Sequence, residues 1–196
     1  MTIRKGEPWG REITRPADLL VAHGDAELAA LVTADPTGSY GVDGGDLHRT
    51  VGVPRTRGAT VQRLPIDVLE VVTDRSEHLA VAHDVIRRRG WRGRVVLVCN
   101  VDHVGTWNVA PRAHPNDGRF DVVDVDATMR WRDRLEARRR LPTGTHLPHP
   151  AVSVRTATEW HWSGPVGPHV WIDGVDVGPR TDVRVRILPD AAAIHV

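Results

Sequence analysis

The sequence predicts an α+β protein: an antiparallel β-sandwich preceded by a small N-terminal α/β segment. Three observations carry that expectation. From Thr60 onward the chain is a succession of short apolar runs separated by Gly and Pro turns, the texture of a sandwich or distorted barrel. Val152, Val154, Thr156, Thr158, Trp160 and Trp162 alternate with Ser153, Arg155, Glu159 and His161, the period of two that a half-buried strand requires. Before residue 53, Asp18-Leu19-Leu20-Val21 runs through His23-Gly24 into Asp25-Ala26-Glu27-Leu28-Ala29-Ala30-Leu31, a strand, a turn and a run of good helix formers.

Two domains are expected, 1–53 as a shortened α/β segment and 54–196 as the sandwich. Asp25 is a candidate N-cap, and a strand–turn–helix unit of this kind aims backbone N–H groups at an anion near the helix start. Asp35 to Gly45 reads as a Gly-rich loop, followed by a second capped helix from Asp46 that Gly52 and Pro54 stop. Strands are expected at 61–64, 66–72, 78–86, 94–100, 119–126, 152–162, 170–177 and 183–187. Asp173-Gly174 reads as a two-residue hairpin turn. A late helix is expected over 127–141, bounded by Pro142 and Gly144. No internal repeat and no low-complexity tract is evident.

At 196 residues, 40% hydrophobic and with a net charge of +1, the chain suits a soluble globular protein with a sizeable core. No apolar run approaches a membrane span and Met1 to Gly6 lacks a signal-like apolar stretch, so the expected location is cytoplasmic. The single cysteine, Cys99, excludes an intramolecular disulfide and a Cys-rich zinc site, and within its strand it reads as core. Lys5 is the only lysine, which excludes phosphate loops and kinase signatures built on an internal lysine. The near-zero charge argues against nucleic acid as a partner. Among the eleven histidines, His146, His149 and His114 invite a metal reading, but Pro148 breaks any helix that could align them and no second ligand pair accompanies them.

Asn100 at a strand end, Ala110-Pro111, Ala113, Asp117-Gly118 with Asp121, then Gly144 and His146, and finally Asp173-Gly174 follow one another in an order that resembles the C-terminal half of the diacylglycerol kinase and lipid kinase family, in the NAD kinase/diacylglycerol kinase-like superfamily. Upstream, Pro36-Thr37-Gly38-Ser39 with Gly45-Asp46-Leu47-His48-Arg49 and Gly52 is similar to the family's Pro-x-Gly-Thr-x-Asn-Asp-x-x-Arg segment. His23-Gly24-Asp25-Ala26-Glu27 is similar to its Gly-Gly-Asp-Gly-Thr phosphate loop.

The resemblance implies a lipid kinase-like sandwich and a transferase activity, ATP-dependent phosphoryl transfer to a lipid hydroxyl. It implies ATP and Mg as cofactors, with Gly24, Asp25, Gly38, Ser39 and Asp46 binding the cofactor, Asp25 near the metal, and Asp173 and Asp117 as catalytic acids. Departures from the pattern imply a degenerate or altered activity. His23, Ala26 and Glu27 stand for Gly, Gly and Thr, and Val175 stands where the family's Asp-Gly-Glu carries its acid. A Cβ at Ala26 would also hinder close phosphate approach. The alternative reading is a non-catalytic module that binds a ligand, a lipid or a partner on the same sandwich.

The stretch from Thr128 to Arg140 carries six arginines against two acids. On a helix, Arg130, Arg134 and Arg138 form a stripe beside Trp131 and Leu135, a pattern that could meet lipid headgroups or an anionic membrane surface. The alternative is a solvated helix whose Trp and Leu pack on the sandwich, and the narrowness of the apolar face favours it. Exposed strand edges could support a homodimer.

Overall fold

The structure, a computed structural model, describes residues 8–52, 58–165 and 167–196. The chain runs β1 (Arg11–Thr14), β2 (Leu20–Ala22), α1 (Asp25–Ala34), β3 (Tyr40–Val42), α2 (Gly45–Val51), β4 (Thr60–Thr73), β5 (Glu77–Ala80), β6 (His83–Arg87) and β7 (Val95–Cys99). It continues through β8 (His103–Val104), β9 (Trp107–Asn108), β10 (Phe120–Val125), α3 (Trp131–Arg140), β11 (Val152–Ala157), β12 (Glu159–Ser163), β13 (His169–Ile172), β14 (Val175–Pro179) and β15 (Asp182–His195).

These strands form the expected sandwich. One sheet of seven strands has the order β1-β4-β15-β3-β2, with β5 on β4 and β12 on β15; the other, of six, has the order β11-β10-β7-β6-β13-β14. The six-stranded sheet is antiparallel throughout. The N-terminal α/β character is equally clear, because β2 and β3 are parallel to each other and β3 is parallel to β15.

The long strands β4 and β15 serve two cores through the alternation of their side chains. Leu69, Val71, Val183, Val185 and Ile187 meet Val96, Val98, Phe120, Val122, Trp160 and Trp162 between the sheets. Toward the other end, Leu64, Ile66, Ala192 and Ile194 pack with Leu28, Val32 and Leu47 of α1 and α2. Trp160 and Trp162 thus fill the core as their alternation implied. On the outer face of the six-stranded sheet, Val85, Val95, Leu97, Cys99, Val109 and Val123 form a third cluster.

Several elements differ from the sequence expectation, each for a local reason. The runs at 61–64 and 66–72 are one strand, because Pro65 sits opposite Ala193 and the ladder continues on both sides of it. The 78–86 run divides at Val81-Ala82, so that β5 joins one sheet and β6 the other. The alternating run at 152–162 also crosses between sheets: β11 pairs with β10, β12 pairs with β15, and the Thr158 carbonyl between them accepts the Ile187 N–H at 3.0 Å. Period-two alternation survives such a crossing and does not announce it. The late helix starts only at Trp131, since the Asp126 carboxylate accepts from both the backbone N–H and the hydroxyl of Thr128 at 2.7 Å, a local turn that competes with helix. Asp35 to Gly45 contains a strand, β3, that its glycines conceal. The proposed boundary at Val53 and Pro54, like Lys5, lies outside the described residues.

Candidate functional site

Strands β2 and β3 run parallel with α1 between them, so the turns that follow them lie side by side. Each passes through an extended glycine, Gly24 or Gly44, into the next helix. A Cβ on Gly44 would collide with the His23 carbonyl, and one on Gly45, at φ +91°, with the Asp25 carboxylate. Asp25 is buried and caps the second helix rather than its own: it accepts from Asp46 N–H at 2.6 Å and Leu47 N–H at 3.0 Å. Burial raises its pKa to about 6, against these two backbone bonds, with the charge of Asp173 adding to the rise.

Capping fixes the start of α2 and with it Asp46, whose carboxylate meets His83 Nε2 at 2.9 Å and accepts the Gly105 N–H at 2.8 and 2.9 Å. Burial alone would raise Asp46, but the His83 hydrogen bond and the Gly105 amide hold it below its ordinary value. His83 is itself buried, and burial opposes its charge; the Asp46 hydrogen bond and the charges of Asp173, Asp46 and Asp25 outweigh this and raise its pKa. His83 Nδ1 has no partner among the described residues.

Asp173 lies in the β13–β14 hairpin at φ +46° followed by Gly174 at φ +83°, the two-residue turn that was expected. Its carboxylate turns back under the β5–β6 corner and accepts from the backbone N–H groups of Val81, Ala82 and His83 at 2.8, 2.9 and 3.0 Å. Next to His83 in sequence, Asp84 points the other way, into the core between the sheets, with no exposure and no partner for either oxygen. Burial, and then the charge of Asp173, raise its pKa well above the carboxylate range.

The fold therefore brings Gly24, Asp25, Asp46 and Asp173 into one neighbourhood and adds His83 and Gly105 to it. It does not bring Gly38 and Ser39 there. They precede β3, at the opposite end of that strand from Gly44, and a Cβ on Gly38 would strike the Tyr40 ring. Asp117 belongs to another network. Its carboxylate accepts the Arg119 N–H at 3.0 Å, while Asp67 ties the same loop to β15 by accepting from Gly118 N–H at 2.7 Å and from Asp190 N–H at 2.9 Å. Asn100 closes this region by donating to the Asp67 and Val81 carbonyls, both at 2.9 Å.

On the outer face of the six-stranded sheet, α3 and the β8–β9 ribbon roof a cavity of about 440 Å³. Val95, Leu97, Val123 and Val125 form its floor, Trp91, Trp107, Val109 and Leu141 its sides, and Trp131, Leu135 and Arg138 its outer rim. The floor residues alternate with the inner-core residues of β7 and β10, and His83 stands on the same face of β6 as Val85. Cys99 follows Leu97 on that face and pairs in register with His83. The cavity and the Asp46–His83 pair thus share one face of one sheet.

Arg134 does not belong to a free basic stripe. Its guanidinium donates to the carbonyls of Met129, Trp91, Asp126 and Gly93 at 3.1, 3.1, 2.8 and 2.5 Å, clamping α3 over the cavity. Arg130 and Arg138 are exposed, and Arg138 lies 5.4 Å from the Trp107 ring.

The profile of the YegS C-terminal NAD kinase β-sandwich-like domain matches residues 41–196. The chain belongs to that family. The resemblance to the lipid kinase sandwich thus holds at the level of family and fold. A solved "putative diacylglycerol kinase" from Bacillus anthracis str. Sterne superposes with a TM-score of 0.65 at 13% identity, over 90% of this chain and 77% of the other. A diacylglycerol kinase structure from the same organism gives 0.60 at 15% identity, over 90% and 75%. No curated protein matches the chain by sequence.

In this member of the YegS C-terminal family, Asp25, the carboxylate that the resemblance puts near the metal, is engaged with the start of α2. Both Asp25 oxygens accept backbone N–H groups, and among the described residues no group of three His, Cys, Asp or Glu side chains converges on a possible metal position. His114 and His149 instead accept backbone N–H groups two residues on, at 3.2 and 3.1 Å. Sequence reasoning missed His83, which carries no motif, and the cavity, whose lining is gathered from segments between Gly90 and Val152. Among the described residues no helix is long and apolar enough to cross a membrane.

Proposed function

We propose that this protein binds an acyl lipid, with the chain in the cavity beneath α3 and the polar head directed along the sheet toward Asp46 and His83. The observation that carries the reading is the shared face: the apolar floor and the Asp46–His83 pair lie on one face of one sheet, with the buried Val85 and Cys99 between them. From Leu97 to Cys99, beside His83, is one strand period, about 7 Å. A concave apolar site with a few convergent polar groups is the usual form of a small-molecule site. The exposed Arg130 and Arg138 at the helix would favour approach to an anionic headgroup or membrane surface. Titration of the protein with a dansylated fatty acid tests the reading: saturable binding with a blue-shifted emission is expected, and Val125→Trp, which narrows the floor, should weaken it at least tenfold.

Phosphoryl transfer from Mg·ATP to the lipid hydroxyl is the second reading, and one observation favours it. The Asp25 carboxyl, raised to about 6, sits near the value that suits a proton acceptor at neutral pH. Against efficient transfer stand the engagement of Asp25 and Asp173 with backbone amides and the replacement of the family's acid by Val175. Activity is therefore weak or lost. A melting-temperature rise with saturating Mg·ATP, together with lipid phosphorylation that Asp25→Asn abolishes, would establish the second reading.

A further inference from the structure

A merely solvated α3 would pack Trp131 and Leu135 on the sandwich. Instead they are 69% and 42% exposed, and α3 buries no residue. Both stand at the rim of the cavity, one helical turn apart. Around them the charge has one sign. Residues 130–140 hold six arginines against two acids in a chain whose net charge is +1, so the remainder of the molecule is net negative. Glu136 neutralises Arg140, whereas Arg130, Arg138 and Arg139 are exposed and have no ion pair among the described residues. Arg92, also exposed, brings the turn at 89–92 to the same rim. Arg134 ties that turn to α3 through the Trp91 and Gly93 carbonyls.

A rim of this composition is complementary to an anionic bilayer. Two exposed apolar side chains are too few for a stable protein interface, which buries about 800 Å² per partner. A membrane surface asks only for a shallow apolar anchor with basic groups around it, and Trp is the side chain suited to headgroup depth. Because the cavity opens at the same rim, an acyl chain would enter it from the bilayer without crossing water. Resting on the lipid-binding reading for what the cavity holds, we propose that α3 and the 89–92 turn dock on an anionic membrane surface, with Trp131 among the headgroups and the cavity mouth facing the bilayer.

The test is co-sedimentation with vesicles of phosphatidylcholine alone and of phosphatidylcholine mixed with phosphatidylglycerol. Binding to the mixed vesicles is expected to be about tenfold tighter or more, and to be lost as salt rises to ~0.5 M. Arg130→Glu combined with Arg138→Glu should weaken it about twentyfold or more, near a factor of five for each arginine. An equal change of charge at the exposed Arg75 and Arg184 of the seven-stranded sheet, both to Glu, should cost about twofold at most, being screened at that distance. Lipid brominated near the headgroup should quench tryptophan emission in the natural protein and markedly less in Trp131→Ser. Equal binding to both kinds of vesicle, or binding indifferent to the Arg130 and Arg138 reversal, would overturn the docking surface. So would retention on single-stranded nucleic acid with none on vesicles. The dansylated fatty acid titration uses no vesicle and reports on the cavity alone, so failure of the docking surface and failure of the lipid-binding reading are distinguished.

Discussion

Asp25 illustrates how a residue of a phosphate-loop-like turn becomes part of the scaffold. Its carboxyl holds two N–H groups of α2 with its pKa raised from 3.8 to about 6. A raised folded-state pKa gives stability that is complete below the unfolded value and is lost as pH rises through the folded one. The group therefore lowers stability by about 3 kcal/mol between pH ~4 and ~7. Urea denaturation across that window should show a flatter profile in Asp25→Asn than in the natural protein, although the variant is less stable at low pH because it loses one acceptor. Asp84 has the same sign and a simpler remedy. Its oxygens are unpartnered among the hydrocarbon side chains between the sheets, so Asp84→Val should stabilise the protein by about 1–3 kcal/mol, with a gain that is larger at pH ~8 than at pH ~5. A loss of stability on that substitution would mean that the carboxyl has a partner in solution. Gly45→Ala, which combines a φ of +91° with a collision at Asp25, should cost about 2 kcal/mol or more.

At the scale of elements, the β13–β14 hairpin and α3 are each held by one polar side chain that gathers several backbone groups. Asp173→Ala leaves three buried N–H groups of the β5–β6 corner unpaired, and thermal unfolding should record a loss of about 3 kcal/mol or more. Arg134 does the corresponding work for α3, whose own surface buries no residue. Arg134→Gln should release the helix from the cavity and speed amide exchange in α3 relative to β7, while the sandwich core stays protected. The hairpin was legible from Asp173-Gly174, because the turn chemistry is local. The destination of the Asp173 carboxylate was not, since its partners lie about 90 residues away in sequence. For the same reason the Arg130, Arg134 and Arg138 stripe looked uniform: helical spacing fixes which side chains are neighbours, and only the surrounding loops decide which of them finds four carbonyls.

For the molecule as a whole, the sandwich and the parallel N-terminal strands could be read from alternation, from turn residues and from the strand–glycine–helix pattern. The crossings at Val81-Ala82 and at Thr158 could not, because a strand that changes sheets keeps its period. Of the candidate site, Gly24, Asp25, Asp46 and Asp173 converge, whereas Gly38 and Ser39 stay at the far end of a three-residue strand that the glycines around it disguise. His83 and the cavity arise from long-range packing of β6, β7, β10 and α3. Together they put an apolar cavity and a carboxylate–histidine pair on one face of one sheet. The most direct test of that arrangement is a titration of the natural protein and Val125→Trp with a dansylated fatty acid, read by probe emission and by the fluorescence of Trp91, Trp107 and Trp131 at the cavity. Saturable binding that perturbs the tryptophans and is weakened at least tenfold in Val125→Trp is the predicted result; no binding, or binding indifferent to Val125→Trp, would contradict the account.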